Sequence, residues 1–202
     1  TDTKFQTFLT HMGKIETLFP QWYYHGQVQN HEVVKSTFLK ELGQAQILPR
    51  RFATSSFESV TNNDDFSWDL FGKSIENNLI EMSGQLGGEF VKSIQIVQSW
   101  INEFRQGDMQ EVHDHAGNFC TFSCAYFLQY NHAIDGQFHF YNTSLNIHHG
   151  NFSSYYPTLD MYAPEVKEGD IIIFPSCSHH FVTSQPETDQ SRITISANFS
   201  IS

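Results

Sequence analysis

The sequence predicts a mainly β domain, a double-stranded β-helix (jelly roll, cupin-like) with supporting helices at its N-terminal end. Three observations predict it. From Ser93 onward, apolar residues alternate with polar ones in short stretches, the two-residue period of a strand with one buried face. Gly-Asp and Asp-Gly pairs punctuate those stretches at Gly107-Asp108, Asp135-Gly136 and Gly169-Asp170, as turns between short strands require. Helical spacing is confined to the first 92 residues. A run of helices followed by a run of strands places the helices together on one sheet of a two-sheet structure. The division expected is residues 1–92 as a helical and loop region packed on the barrel and 93–202 as the barrel core, together one domain.

Along the chain, apolar residues at Phe5, Phe8, Leu9, Met12, Ile15, Leu18 and Phe19 predict a first helix, with Leu18 to Tyr24 running on as strand or loop. Asn30 ahead of Val33, Val34, Phe38 and Leu42, with Gly43 after them, predicts an Asn-capped amphipathic helix. Residues Ala45 to Asp69 read as loop and short strands, with a turn at Thr61-Asn-Asn-Asp-Asp65. Ser74 to Met82 predicts a further helix, interrupted near Gly84 and Gly87-Gly88. The strands expected are 94–105, a short one holding His113 and His115, 119–130, 137–142, 154–163, 170–174, 180–183 and 192–201. Residues 146–156 read as a loop over the mouth of a site.

Composition narrows the function. The chain has 202 residues, 15% aromatic with Phe alone at 19, only 16% charged, and a formal net charge of −11. That excess of acid repels nucleic-acid phosphates, so nucleic acid is not the expected partner. No apolar run is long enough to cross a membrane, and the N-terminal stretch lacks a secretory leader pattern. Three cysteines (Cys120, Cys124 and Cys177), an odd number without Cys-x-x-Cys spacing, read as free thiols in a reducing, cytoplasmic setting; Cys120 and Cys124 fall on one face of a predicted strand.

Candidate chemistry lies in the second half. Glu111-Val-His113-Asp114-His115 puts two imidazoles two residues apart, so on a strand they share a side and Asp114 faces away. His180 follows the apolar run Asp170-Ile-Ile-Ile-Phe174 and can complete a three-point face. Such a face with open positions suits a non-haem iron. At His179-His180 only one ring can point inward on a strand. Arg192-Ile-Thr194 places a guanidinium and a hydroxyl on the same face of the last strand, the pair that would grip a carboxylate. An arginine in so apolar a strand is costly unless partnered; the competing reading is an edge arginine reaching solvent. Asn102 alternates with Trp100 and Phe104 and suits either a cosubstrate or a neighbouring backbone group. Ser123 and Tyr126 are further candidates for lining the pocket, and the remaining histidines, among them His25, His31, His132 and His139, read as surface residues.

The ordered set Trp100-Ile-Asn102, Gly107-Asp108, His113-x-His115, Ser123-Cys-Ala-Tyr126-Phe-Leu128, Gly169-Asp170-Ile-Ile-Ile-Phe174-Pro-Ser176, His180-x-Val182 and Arg192-x-Thr194 resembles the iron(II)- and 2-oxoglutarate-dependent oxygenases. It looks most like a small branch found in marine phages and bacteria, over about the C-terminal half. The resemblance implies a jelly roll; Fe(II) held by His113, His115 and His180; and 2-oxoglutarate held by Arg192, Thr194 and Asn102. It also implies a reaction in which dioxygen and 2-oxoglutarate give succinate and CO2 while a C–H bond of a peptidyl or small-molecule substrate is hydroxylated. Two departures stand out. Most of the superfamily has a carboxylate where His115 stands, which keeps Asp114 in reserve as a ligand. Phe104 and Phe127 occupy positions near which relatives often place a cosubstrate-bonding tyrosine. The alternatives are a three-His cupin-type metalloenzyme that does not use 2-oxoglutarate, and a non-enzymatic jelly-roll binding or structural module.

Overall fold

The computed structural model describes residues 21–45, 54–55, 65–88, 94–117, 120–143 and 160–201. Among them are ten strands and two helices. In chain order they are β1 (Tyr24–Gln27), α1 (His31–Leu42), β2 (Thr54–Ser55), α2 (Trp68–Gln85), β3 (Ile94–Phe104) and β4 (Gln110–His113). Then follow β5 (Phe122–Gln129), β6 (Phe138–Tyr141), β7 (Met161–Tyr162), β8 (Asp170–Pro175), β9 (His180–Val182) and β10 (Arg192–Ile201). The strands form a six-stranded sheet, β1-β8-β5-β10-β3-β2, and a four-stranded sheet, β4-β9-β6-β7. Every pairing is antiparallel. From β3 to β10 the chain crosses from one sheet to the other at every step except β6 to β7, as in a jelly roll.

The central strands of the large sheet are buried on both faces, which explains their unbroken apolar runs. Ile171 and Ile173 of β8 face the helices while Ile172 and Phe174 face the second sheet. On β10 the same alternation separates chemistry from packing. Ile193, Ile195, Ala197 and Phe199 enter the helix-side core; Arg192, Thr194 and Ser196, with the intervening spacing of two, line the cavity between the sheets. The helices cover the outer face with Val34 and Phe38 of α1 and Phe71, Ile75, Leu79 and Met82 of α2, residues three and four apart on one stripe.

Several expectations change. The second helix begins at Trp68 and passes through Gly72 and Gly84, because its buried stripe continues at Phe71 and Met82. It stops at Gly87, whose φ of +74 lets Gly88 donate to the Ser83 carbonyl and Gly87 to that of Gly84. Asn30 precedes α1 in a left-handed conformation (φ 54) and its side chain makes no capping bond. The chain there is turning directly out of β1, a role asparagine tolerates. Residues of the N-terminal region also enter the sheet, since β1 pairs with β8. β5 begins at Phe122, so Cys120 lies before the strand; Cys124 is buried and Cys177 exposed, and none of the three is in a disulfide. His31 is half-buried, its Nδ1 2.6 Å from the Tyr126 hydroxyl, so it ties α1 to β5 rather than facing water. His139 stacks on Phe181. The first predicted helix at 5–19, most of the 61–65 turn, the 146–156 loop and most of the 154–163 strand lie outside the described residues. No described helix is long and apolar enough to cross a membrane.

Candidate metal and cosubstrate site

His113 ends β4 and His180 opens β9, and the register of those two strands sets them directly opposite each other. His115 lies beyond the end of β4, so strand alternation does not position it. Instead its backbone N–H donates to the Ser176 carbonyl at 2.8 Å, which pins it to the turn between β8 and β9. The ring centroids of His113 and His180 are 4.3 Å apart, those of His113 and His115 5.1 Å, and those of His115 and His180 5.2 Å. One nitrogen from each ring can lie within 4.8 Å of the others, a spacing that suits a shared ion.

Two of the rings are oriented by the same device. Nδ1 of His113 donates to the Glu111 carbonyl and Nδ1 of His180 to the Ser178 carbonyl, each at 2.8 Å and each two residues back. A proton held on Nδ1 leaves Nε2 as the lone-pair donor. Aromatic rings pack around them: Phe138 stacks on His180 at 5.2 Å, Phe174 meets its edge at 4.9 Å, and Trp100 lies 5.5 Å from His115. Burial depresses the basicity of His180 well below the ordinary value, with His113 adding to the effect. His115 is pushed down to about 4 by burial and then by His113, against an opposing pull from Asp114. Both are therefore neutral, and ready to donate to a cation, at neutral pH.

Asp114 turns away from this cluster. One carboxylate oxygen accepts from the Ala116 N–H at 3.0 Å and the other lies 3.3 Å from Nε2 of His179, the neighbour of His180.

On the cavity wall, Arg192 is 1% exposed. Its Nε and Nη1 are buried without a hydrogen-bond partner among the described residues. Arg192 lines the same cavity as His113, His115 and His180, together with Thr194, Asn102 and Trp100. Burial lowers its pKa to about 10, which still leaves it charged at neutral pH. A buried cation with idle donors facing a cavity is a site for an anion. Asn102 reaches the Ser196 hydroxyl at a long 3.4 Å. Ser196 was not singled out from the sequence, although its spacing from Arg192 and Thr194 places it on the same face.

Ser123 and Tyr126 do not line the cavity with these groups. Ser123 is buried in a polar chain, donating to Asn198 at 2.8 Å and lying 2.9 Å from the Ser176 hydroxyl. Tyr126 faces the helices, because it sits an odd number of residues from the inward-facing Ala125 and Phe127.

A family model described as "Putative 2OG-Fe(II) oxygenase" matches residues 98–198, half of the 202-residue chain. The chain belongs to the 2OG-Fe(II) oxygenases. The match begins in β3 and ends in β10, so it spans every cavity-lining residue named above and neither helix. No curated protein matches the chain in sequence. Its fold is similar to that of a prolyl-4-hydroxylase from Pseudomonas putida, with TM-score 0.62, 10% identity, and coverage of 90% of this chain and 94% of that one. It is also similar to HygX from Streptomyces hygroscopicus, solved with nickel and 2-oxoglutarate (TM-score 0.62, 10% identity, 90% and 84% covered). A third is the non-heme alpha ketoglutarate dependent epimerase SnoN from nogalamycin biosynthesis (TM-score 0.60, 12% identity, 89% and 77% covered). At such identities the likeness is one of fold. As a member of this family the protein is an oxidoreductase that uses Fe(II), with 2-oxoglutarate as cosubstrate.

Proposed function

We propose that Nε2 of His113, Nε2 of His180 and a ring nitrogen of His115 hold the iron, and that Arg192 with Thr194 binds the far carboxylate of 2-oxoglutarate. The observation that carries this is the buried Arg192, whose Nε and Nη1 are unsatisfied in the same cavity as the histidines. Asn102 is close enough to Ser196 to share the polar wall and offers an amide to the cosubstrate. When bound, the iron supplies the oxidising chemistry that couples loss of CO2 from 2-oxoglutarate to hydroxylation of a C–H bond, with succinate as coproduct. The chain itself contributes three neutral donors, carbonyls that fix two rings, an arginine that orients the cosubstrate, and aromatic walls that exclude water. Three neutral histidines bring no charge of their own to offset that of the ion.

The primary substrate we favour is a peptidyl or small-molecule C–H bond. The formal net charge of −11 weighs against a nucleic-acid polyanion, and three cysteines outside any disulfide accord with a reducing, cytoplasmic setting.

The test needs no substrate. Iron(II) and 2-oxoglutarate added without oxygen should produce a visible metal-to-ligand charge-transfer band. His180→Ala should lose the band and the metal; Arg192→Ala should keep the metal and require far more 2-oxoglutarate. Metal uptake with no band at any cosubstrate concentration would favour a three-His metalloenzyme that dispenses with 2-oxoglutarate.

A further inference from the structure

A guanidinium buried this deeply is costly without a counter-charge, yet no carboxylate of the described residues forms an ion pair with Arg192. The acid that acts on it from a distance, Asp135, is occupied: its oxygens accept from Gln185 Nε2 and from the Asn131 N–H, each at 2.7 Å. Three rings surround the cation instead. Its central carbon lies 4.7 Å from the ring centre of Phe104, and 5.7 Å from those of both Phe127 and Tyr130. All three distances fall within the range of cation–π attraction, which strengthens when water is excluded.

The topology builds this arrangement. β10 lies between β3 and β5. Phe104 is the direct cross-strand partner of Arg192 on β3, while Phe127 is paired with Thr194 on β5. Tyr130 follows β5 and packs on Phe127 at 5.0 Å. Phe104 and Phe127 stand near positions where related enzymes often carry a cosubstrate-bonding tyrosine, and neither ring has a hydroxyl to offer.

We propose that Phe104, Phe127 and Tyr130 are positioning residues, forming an aromatic cage that holds the Arg192 guanidinium while leaving its Nε and Nη1 donors free for the far carboxylate of 2-oxoglutarate. The inference rests on the cosubstrate role given to Arg192 above. Its physical logic is a division of the guanidinium's surface. A carboxylate partner would take the edge of the fork and compete with the cosubstrate for the same donors. A ring attracts the cation through its π face, consumes no N–H and brings no charge to repel the incoming anion.

The experiment is a titration of 2-oxoglutarate into the iron(II)-loaded protein without oxygen, read by calorimetry and by the charge-transfer band, with iron affinity measured separately. Phe104→Leu keeps an apolar side chain but removes the ring face. It should weaken 2-oxoglutarate binding about five- to tenfold and leave iron affinity unchanged. Binding of 2-oxobutyrate, which lacks the far carboxylate, should not change. In an Arg192→Ala background, Phe104→Leu should have no further effect.

If Phe104→Leu binds 2-oxoglutarate as the parent does while Arg192→Ala does not, the cage is wrong and the arginine's role stands. Equal weakening in both backgrounds, or loss of 2-oxobutyrate binding as well, would reduce Phe104 to packing. If Arg192→Ala itself binds 2-oxoglutarate normally, both readings fall. Should Phe104→Leu not fold, Phe127→Leu enters the same cycle from the opposite side of β10, with the same outcomes deciding.

Discussion

The two faces of β10 differ in kind. Its helix side carries Ile193, Ile195, Ala197 and Phe199, sealed within one apolar core. Its cavity side carries Arg192, Thr194 and Ser196, with Arg192 unpaired at Nε and Nη1. Both faces are almost wholly buried, so burial does not distinguish them. Polar satisfaction does. The apolar face gains from being closed, whereas the polar face is left incomplete in a way that a bound anion and a metal can remedy. One strand thus serves stability with its odd-numbered residues and chemistry with its even-numbered ones.

The sharpest break of that comparison is in the helix-side core. Phe71, fully buried beneath Tyr126, should cost about 3–5 kcal/mol as Phe71→Ala. Chemical denaturation would read that loss, while iron bound per folded molecule should stay the same; lowered stoichiometry would mean the two faces are not independent. His180→Ala should do the converse. Even changes to groups that merely support metal ligands cost about 10–100-fold in affinity, so loss of a ligand should cost at least about 100-fold. Equilibrium dialysis would show it, and retention of tight iron would remove His180 from the ligand set.

Arg192→Ala should weaken 2-oxoglutarate at least about 30-fold, the low end of what truncating one partner of a buried charge pair costs. The metal-free protein should not lose stability in proportion, because an unpaired buried cation is being removed. A large drop in melting temperature without cosubstrate would show that Arg192 is instead part of the packing.

The smallest effect expected is on pH. His115 has its basicity lowered from 6.5 to about 4, and His180 is lowered in the same direction. In the unfolded chain these rings take up protons first as pH falls, so below about 6.5 the unfolded state binds more protons than the native one. Stability of the metal-free protein should therefore decline as pH drops from about 6.5 toward 4, while holding level above that window. Replacing either histidine with Gln should flatten the decline; an unchanged slope would assign acid sensitivity to other groups.

The strands from 94 onward were legible because alternation and Gly-Asp turns survive in the one-dimensional pattern. So were His113, His115, His180 and Arg192 as an ordered set. The helix over 68–85 is longer than the 74–82 its spacing suggests, because the loop reading up to Asp69 and the break expected at Gly84 both yield to a buried stripe that runs from Phe71 to Met82. Tyr126 was assigned to the wrong face because β5 is apolar on both, and alternation is invisible where each side is buried.

The sequence by itself determined the two-sheet class, the ordered donors and the pairing of Arg192 with Thr194 on one side of a strand, because each depends only on local period. Tertiary structure alone decided three things. His113 meets His180 through the β4–β9 register. His115 is anchored from the Ser176 carbonyl rather than from its own strand. Arg192 is enclosed by rings from the strands on either side of it. Each is a contact between segments remote in the chain, set by which strands pair and in what register, and no local spacing encodes that.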